Sequence, residues 1–209
     1  MAYPIGKRIL FPIIRFWIKE INGLGNIPKD QVFIIAANHS SYMDHLVLGY
    51  IIIPRLNNKL HFLAKKEHFD NIFQRIWHTY AGAIPVDRKS GGNKALKIAI
   101  KALKQGKIIG IYPEGTRSLT GKLQRAKTGV ARLALLSRAP VLPVGLVGTF
   151  DILPKGKRIP KLRKATMNIG KPIYFDEYYT LPITKRLLRK ITTRIMKEIA
   201  KLSKQKYDY

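Results

Sequence analysis

The sequence predicts a single α/β domain built on a largely parallel or mixed β-sheet flanked by helices. Three observations carry that prediction. Short apolar runs of strand length alternate along the chain with amphipathic helical patterns. No repeat, low-complexity tract or linker divides the 209 residues, a length that one hydrophobic core can serve. Hydrophobic residues make up 46% of the chain, well above what a disordered sequence carries.

The elements follow in order. "VFIIAA", residues 32–37, has the length of a buried strand, and a helix begins near Ser41 and runs through "HLVLGYII". "KLHFLA", "GAIPV" and "KIIGIY" read as the next three strands. Between the last two, residues 93–105 read as a helix closed by Gly106. On it Lys94, Lys97, Lys101 and Lys104 share one face, either a solvated stripe or one that touches phosphates. "TGVARLALLS" is an amphipathic helix, and "VLPVGLV" and "ATMNIG" are strands. A basic helix over residues 183–204 ends the chain, with Ile183, Leu187, Ile191, Ile195, Ile199 and Leu202 as its apolar seam. The expected organisation is an N-terminal segment (1–22), a central domain (23–176) and the basic helix (177–209) packed on it.

Residues 7–21 mix large apolar side chains with Lys7, Arg8, Arg15 and Lys19. That is the composition of an amphipathic helix lying in a membrane interface. A helix packed on the protein's own core would read the same way. The longest apolar runs fall short of the roughly 20 residues a bilayer core requires, so peripheral attachment is expected rather than spanning. No cleavable signal peptide is apparent.

Charge narrows the partners. With 39 Lys+Arg against 12 Asp+Glu, the formal net charge is +27. Such a field attracts nucleic acid, an anionic membrane surface or phosphorylated substrates. The aromatic residues do not interleave with basic ones in a nucleic-acid-binding motif, so no specific nucleic acid is expected. The absence of cysteine excludes disulfides, thiolate metal sites and a cysteine nucleophile. No G-x-S-x-G elbow is present for a serine acyl-enzyme.

In α/β sheets chemistry gathers beyond the strand ends, and three motifs stand there. "NHSSYMD" places His39 five residues before Asp44. On a continuous helix they would lie about 140° apart. At a strand-to-helix junction capped by Ser41, Asp44 takes the capping-box position and its carboxylate can reach back to the imidazole. An aspartate so placed accepts from one ring nitrogen and leaves the other to remove a proton from a hydroxyl. The plainer alternative makes Asp44 a cap and His39 a loop residue. "YPEGTRS", residues 112–118, offers Gly115 for close backbone approach and Arg117 as a fork suited to phosphate. "IPVDR" leaves Arg88 just past another strand. Together they sketch a pocket for a phosphorylated alcohol beside a base.

"NHSSYMD", "GAIPVDR", "YPEGTRS" and "APVLPVGLVGT" stand in the order and at about the spacing of the four motif blocks of the glycerolipid acyltransferases. The chain resembles that family from about Gly23 to Pro172, and most closely the 1-acylglycerol-3-phosphate (lysophosphatidic acid) acyltransferases. The resemblance implies the glycerol-3-phosphate acyltransferase-like fold. It makes His39 the base that deprotonates the glycerol hydroxyl, with Asp44 holding the imidazole. Lys65, Arg88, Glu114, Gly115 and Arg117 would belong to the acceptor site, the arginines on its phosphate, with Lys66 adjoining Lys65 as a competing assignment. Pro143 would shape the pocket wall. Acyl-CoA or acyl carrier protein would be the acyl donor, with no metal and no further cofactor. The setting implied is a membrane, peripheral or monotopic on its cytoplasmic face.

Three alternatives remain at this point: the same chemistry on another lysophospholipid or a lyso-amino-acid lipid, a basic nucleic-acid-binding protein, and a hydrolase in which His39 activates water.

Overall fold

The computed structural model describes residues 6–87 and 92–209. Its strands are β1 (Ile18–Asn22), β2 (Ile34–Ala37), β3 (Leu60–Lys65), β4 (Ile84–Val86), β5 (Ile108–Ile111), β6 (Val141–Val147) and β7 (Ala165–Ile169). They form one sheet in the order β1-β7-β6-β2-β5-β3-β4. β6 and β7 run antiparallel, and every other neighbouring pair is parallel. The helices are α1 (Phe11–Arg15), α2 (Asp44–Leu56), α3 (Ile72–Tyr80), α4 (Gly92–Lys104), α5 (Gly129–Ser137), α6 (Thr149–Ile152) and α7 (Lys185–Leu202). The mixed α/β sheet matches the expected fold class.

The alternation of side chains along each strand divides the core into two layers. Ile34 and Ala36 of β2 point to one face, where α4, α5 and α7 pack. Phe33, Ile35 and Ala37 point to the other, against Val47, Leu48, Ile51 and Ile52 of α2. Both faces of β2 are covered, so its residues are apolar without interruption, as in buried parallel strands.

Helix ends follow local chemistry. The Thr184 side chain accepts from Leu187 N at the start of α7, which begins two residues later than expected. The buried seam of α7 runs through Leu188, Ile191, Ile195 and Ile199, while Ile183 lies outside the helix and exposed. Gly145 of β6 lies under the last turn of α7: a Cβ there would stand 2.2 Å from the Leu202 carbonyl carbon and 2.3 Å from Ser203 N. That contact is backbone on backbone, so neither partner can yield by changing rotamer. The four-lysine stripe of α4 is fully exposed, as a solvated face would be.

The N-terminus departs from expectation. A π-helical turn (Gly6–Leu10) leads into α1, and the helical run ends at Arg15 instead of continuing to Ile21. Ile18–Asn22 is a strand on the edge of the sheet beside β7, with Ile18 fully buried. The reason is the nearly continuous apolar run: with Ile13, Ile14, Phe16, Trp17 and Ile18 all large, periodicity cannot separate helix from strand. The open edge of β7 decides it, accepting the chain through Ala165 N to Trp17 O at 2.8 Å. Helix α3, absent from the sequence reading, fills part of the connection between β3 and β4.

Because β2, β3, β4 and β5 are mutually parallel, their C-terminal ends open on one edge of the sheet. The segments carrying His39, Lys65 and "YPEGTRS" leave from that edge.

Substituting Gly145→Ala should lift the end of α7 from β6 and destabilise the fold by about 1–3 kcal/mol. Urea unfolding of the two forms measures the difference, and equal midpoints would show that this approach is not tight.

Candidate functional site

The site begins where β2 stops. Asn38 fixes that exit by a reciprocal pair of bonds to β6, donating to Leu146 O at 2.9 Å and accepting from Leu146 N at 2.7 Å. His39 follows. Its Nδ1 donates to Asp44 Oδ2 at 2.8 Å, and the same oxygen accepts from Ser40 N and Ser41 N, each at 2.8 Å. Asp44 is the first residue of α2, so the partial positive charge of the helix N-terminus also faces the carboxylate. The helix starts at Asp44, not near Ser41, but the backward reach of the carboxylate is the one the spacing anticipated. Ser41 Oγ accepts from Met43 N at 3.1 Å and donates to Leu153 O at 2.8 Å. Asp44 is wholly buried, and its Oδ1 has no partner among the described residues. A carboxylate is acceptor-only, so His39 Nδ1 carries a proton, and in the neutral form of the ring the lone pair lies on Nε2.

The segment after β5 grips His39 from three directions. His39 N donates to Glu114 Oε1 at 2.7 Å, and Ser118 N donates to His39 O at 2.8 Å. The ring of Tyr112 stacks on the imidazole with centroids 3.8 Å apart and planes 11° apart. The strand register contributes a shared face: Ala36 pairs with Ile111, so Tyr112 leaves β5 level with Ala37, two residues before His39 and on the same side of the sheet. The Tyr112 hydroxyl shares a hydrogen bond with His45 Nδ1 at 3.1 Å. Burial pushes the phenol well above its usual range, so it stays neutral. His45 is exposed at the cavity wall, where the protein packed around it, then the neighbouring His39, lowers its pKa.

Glu114, expected in the acceptor site, holds a different post. It is 4% exposed and does not line the cavity described below. Its Oε1 is taken by His39 N, and its Oε2 accepts from Gln124 N at 2.8 Å and Gln124 Nε2 at 3.2 Å. Burial raises it to about 7 against the pull of those donors. Glu114 therefore braces the backbone of His39 and Gln124. Gln124, ten residues downstream in an irregular segment, has no sequence signal that would have linked it to the site.

A cavity of about 570 Å³ opens beside His39. Its wall is mainly apolar, with Leu10, Phe11 and Ile14 from the N-terminal helix facing Leu46, Ile53 and Phe62. Its polar groups include His39, His45, Tyr112, Lys65 and Arg117. The Arg117 guanidinium lies 3.7 Å from the centre of the Tyr42 ring, a cation–π contact that leaves its N–H edges available. Gly115 adopts φ +77°, a left-handed conformation that other residues rarely take, and it too lines the cavity. Lys65 ends β3 and lines the cavity, whereas Lys66 is paired with Asp87 at 2.7 Å, which separates the two candidates. Pro143 is buried within β6, away from the cavity. Arg88 lies outside the described residues.

The chain is similar to known proteins in sequence and fold. A model of the acyltransferase family matches residues 19–147. The 1-acyl-sn-glycerol-3-phosphate acyltransferase of Bacillus subtilis is 36% identical over 162 residues, covering 78% of this chain and 77% of that one. The chloroplastic 1-acyl-sn-glycerol-3-phosphate acyltransferase BAT2 of Brassica napus is 30% identical over 166 residues, and the match spans about half, 47%, of its greater length. The crystal structure of the 1-acyl-sn-glycerophosphate acyltransferase of Thermotoga maritima superposes with a TM-score of 0.72 at 30% identity. That match covers 98% of this chain and 78% of that one.

The Glu114 brace makes a prediction. Glu114→Gln keeps the shape of the side chain but cannot ionise, so it removes the pH dependence that the buried carboxyl gives to stability. The pH dependence has a definite sign. Folding raises this carboxyl from 4.5 to about 7, so the unfolded chain ionises first and the wild type loses stability as pH rises through that window. The wild-type advantage over Glu114→Gln should therefore be greatest at acid pH and shrink toward pH 7. Denaturant unfolding of both proteins across the window measures it. An advantage that grows with pH would reverse the assignment.

Proposed function

The chain belongs to the acyltransferase family, and from that premise we propose that it moves a fatty acyl group from an acyl thioester to the free hydroxyl of lysophosphatidic acid, giving phosphatidic acid. One observation carries the reading: an imidazole whose Nδ1 is committed to a buried carboxylate at 2.8 Å forms the wall of an apolar cavity that also presents Lys65 and Arg117. Those are the three requirements of the reaction: a base, room for an acyl chain, and cations for a phosphate.

The chemistry follows from the ring. His39 Nε2 removes the proton from the acceptor hydroxyl as its oxygen attacks the thioester carbonyl carbon. Asp44 stabilises the imidazolium that forms without taking its proton. Collapse of the tetrahedral adduct breaks the C–S bond, and the imidazolium returns the proton to the departing thiolate. Hydroxyl and thioester become ester and thiol, with no covalent enzyme intermediate. Arg117 and Lys65 bind the acceptor phosphate, with Arg88 as the further cation the resemblance assigns there. Acyl-CoA or acyl carrier protein serves as donor. A different lysophospholipid or a lyso-amino-acid lipid would use the same dyad and differ only at the cations.

Both substrates are amphiphiles, and the cavity rim suits a bilayer. Ile9, Ile13 and Phe16 of the N-terminal helical segment are exposed, as are Ile72, Phe73, Ile76 and Trp77 of α3. Leu10 and Phe11 from the first helix and Trp77 from α3 also line the cavity, so its mouth is bordered by apolar surface. No helix among the described residues is long and apolar enough to cross a membrane. We place the enzyme peripherally on a membrane's cytoplasmic face, with these helices in the interface.

Thiol release from long-chain acyl-CoA, followed with and without lysophosphatidic acid, tests the proposal. Release should require the acceptor, and His39→Ala should lower kcat by about 10²–10⁴. Acceptor-independent release would instead mark a hydrolase. Arg117→Ala should raise the acceptor KM about tenfold or more and change kcat less, as loss of a charged hydrogen bond made equally in ground and transition states requires. A kcat defect at unchanged KM would remove Arg117 from the phosphate site.

A further inference from the structure

The connection between α6 and β7 is unused by the chemistry yet is the most cationic exposed loop among the described residues. Residues 155–164 carry Lys155, Lys157, Arg158, Lys161, Arg163 and Lys164, and no acidic residue intervenes between Asp151 and Asp176. All six cations are exposed. Between them two large apolar side chains stand in solvent, Ile159 at 82% and Leu162 at 80% exposure. The backbone beneath is tied down: Lys161 N donates to Ile152 O at 2.8 Å, Lys157 N to Pro154 O at 3.1 Å and Arg163 N to Lys161 O at 2.9 Å. These side chains are therefore presented outward by a bonded loop.

The loop is joined to surfaces already described. Trp17 Nε1 donates to Lys161 O at 3.0 Å, and Lys164 Nζ stands 5.9 Å from the centre of the Phe16 ring. That ring belongs to the exposed apolar edge formed with Ile9 and Ile13. At its other end the loop leaves from Leu153, whose carbonyl accepts from Tyr42 N and Ser41 Oγ beside His39. Cations surrounding a few protruding apolar groups, continuous with a second apolar edge, suit a surface that is anionic outside and hydrocarbon within.

We infer that residues 155–164 are an anionic-lipid docking loop: the six cations sit among headgroups while Ile159 and Leu162 enter the acyl boundary next to the N-terminal helix. This rests on the membrane reading proposed above and names the element that selects the charge of the bilayer. It also holds the mouth of the His39 cavity against the leaflet from which a lysophospholipid would come.

Vesicle flotation tests it, using phosphatidylcholine alone and phosphatidylcholine mixed with phosphatidylglycerol. Wild type should bind the anionic vesicles more tightly. Lys157→Glu with Arg158→Glu should weaken that binding about tenfold or more, since each cation near an anionic surface contributes substantially, and salt should mimic the loss. Ile159→Glu with Leu162→Glu should weaken binding to both vesicle types. Both double variants should keep wild-type melting temperatures and wild-type thiol release from water-soluble short-chain substrates. Wild-type flotation by the charge-reversed variant would overturn the inference. So would a defect confined to turnover with acyl carrier protein, which would make the loop's partner an acidic protein. If no form turned over any acyl donor while flotation still depended on the loop, the docking role would stand and the acyltransferase reading would fall.

Discussion

One carboxylate oxygen organises the site. Asp44 Oδ2 gathers three donors at 2.8 Å, two backbone amides and the His39 imidazole, inside a wholly buried pocket at the start of α2. Burying a charge that way is costly unless several hydrogen bonds compensate. Here the compensation also orients the imidazole: the amides of Ser40 and Ser41 hold the turn that lets a strand pass into a helix, and His39 is drawn into the same knot. Stability of the junction and orientation of the ring are therefore one interaction.

The sheet supplies what that knot cannot. His39 would still swing on its own backbone if the segment after β5 did not grip its amide, its carbonyl and its ring through Glu114, Ser118 and Tyr112. Those contacts exist because β2 and β5 are parallel neighbours in a register that delivers both exits at one level. Tyr112 stacks on the imidazole and bonds to His45, so both rings fix the position of His39 from that side. Charge is kept for Lys65 and Arg117 at the cavity wall, where an anionic acceptor would meet it.

How much of this was legible in the sequence depended on whether a feature is local. Strands β2 to β7 and α2, α4, α5 and α7 were readable because apolar period and length agree over short windows. The His39–Asp44 contact was readable because its partners lie within one turn. Glu114 was visible, but not its post: residue type does not say whether a carboxylate faces a ligand or, as here, the amides of His39 and Gln124. Ile18–Asn22 was unreadable as a strand because a long apolar run suits either structure until a sheet edge claims it. Helix α3 was legible too, being amphipathic and capped by Asn71, whose side chain accepts from Phe73 N and Gln74 N, but it was passed over. The stack of Tyr112 on His39 needs the strand order, which the residues alone do not state.

The most direct measurement is the protonation of the two His39 ring nitrogens, read by ¹⁵N NMR on histidine-labelled protein at neutral pH with Asp44→Asn as the comparison. A neutral ring carrying its proton on Nδ1, shifted in the variant, is the outcome this arrangement requires, since it leaves Nε2 to accept a proton from the acceptor hydroxyl. A proton on Nε2 would contradict it: the imidazole would face the cavity as a donor, and His39 could not be the base.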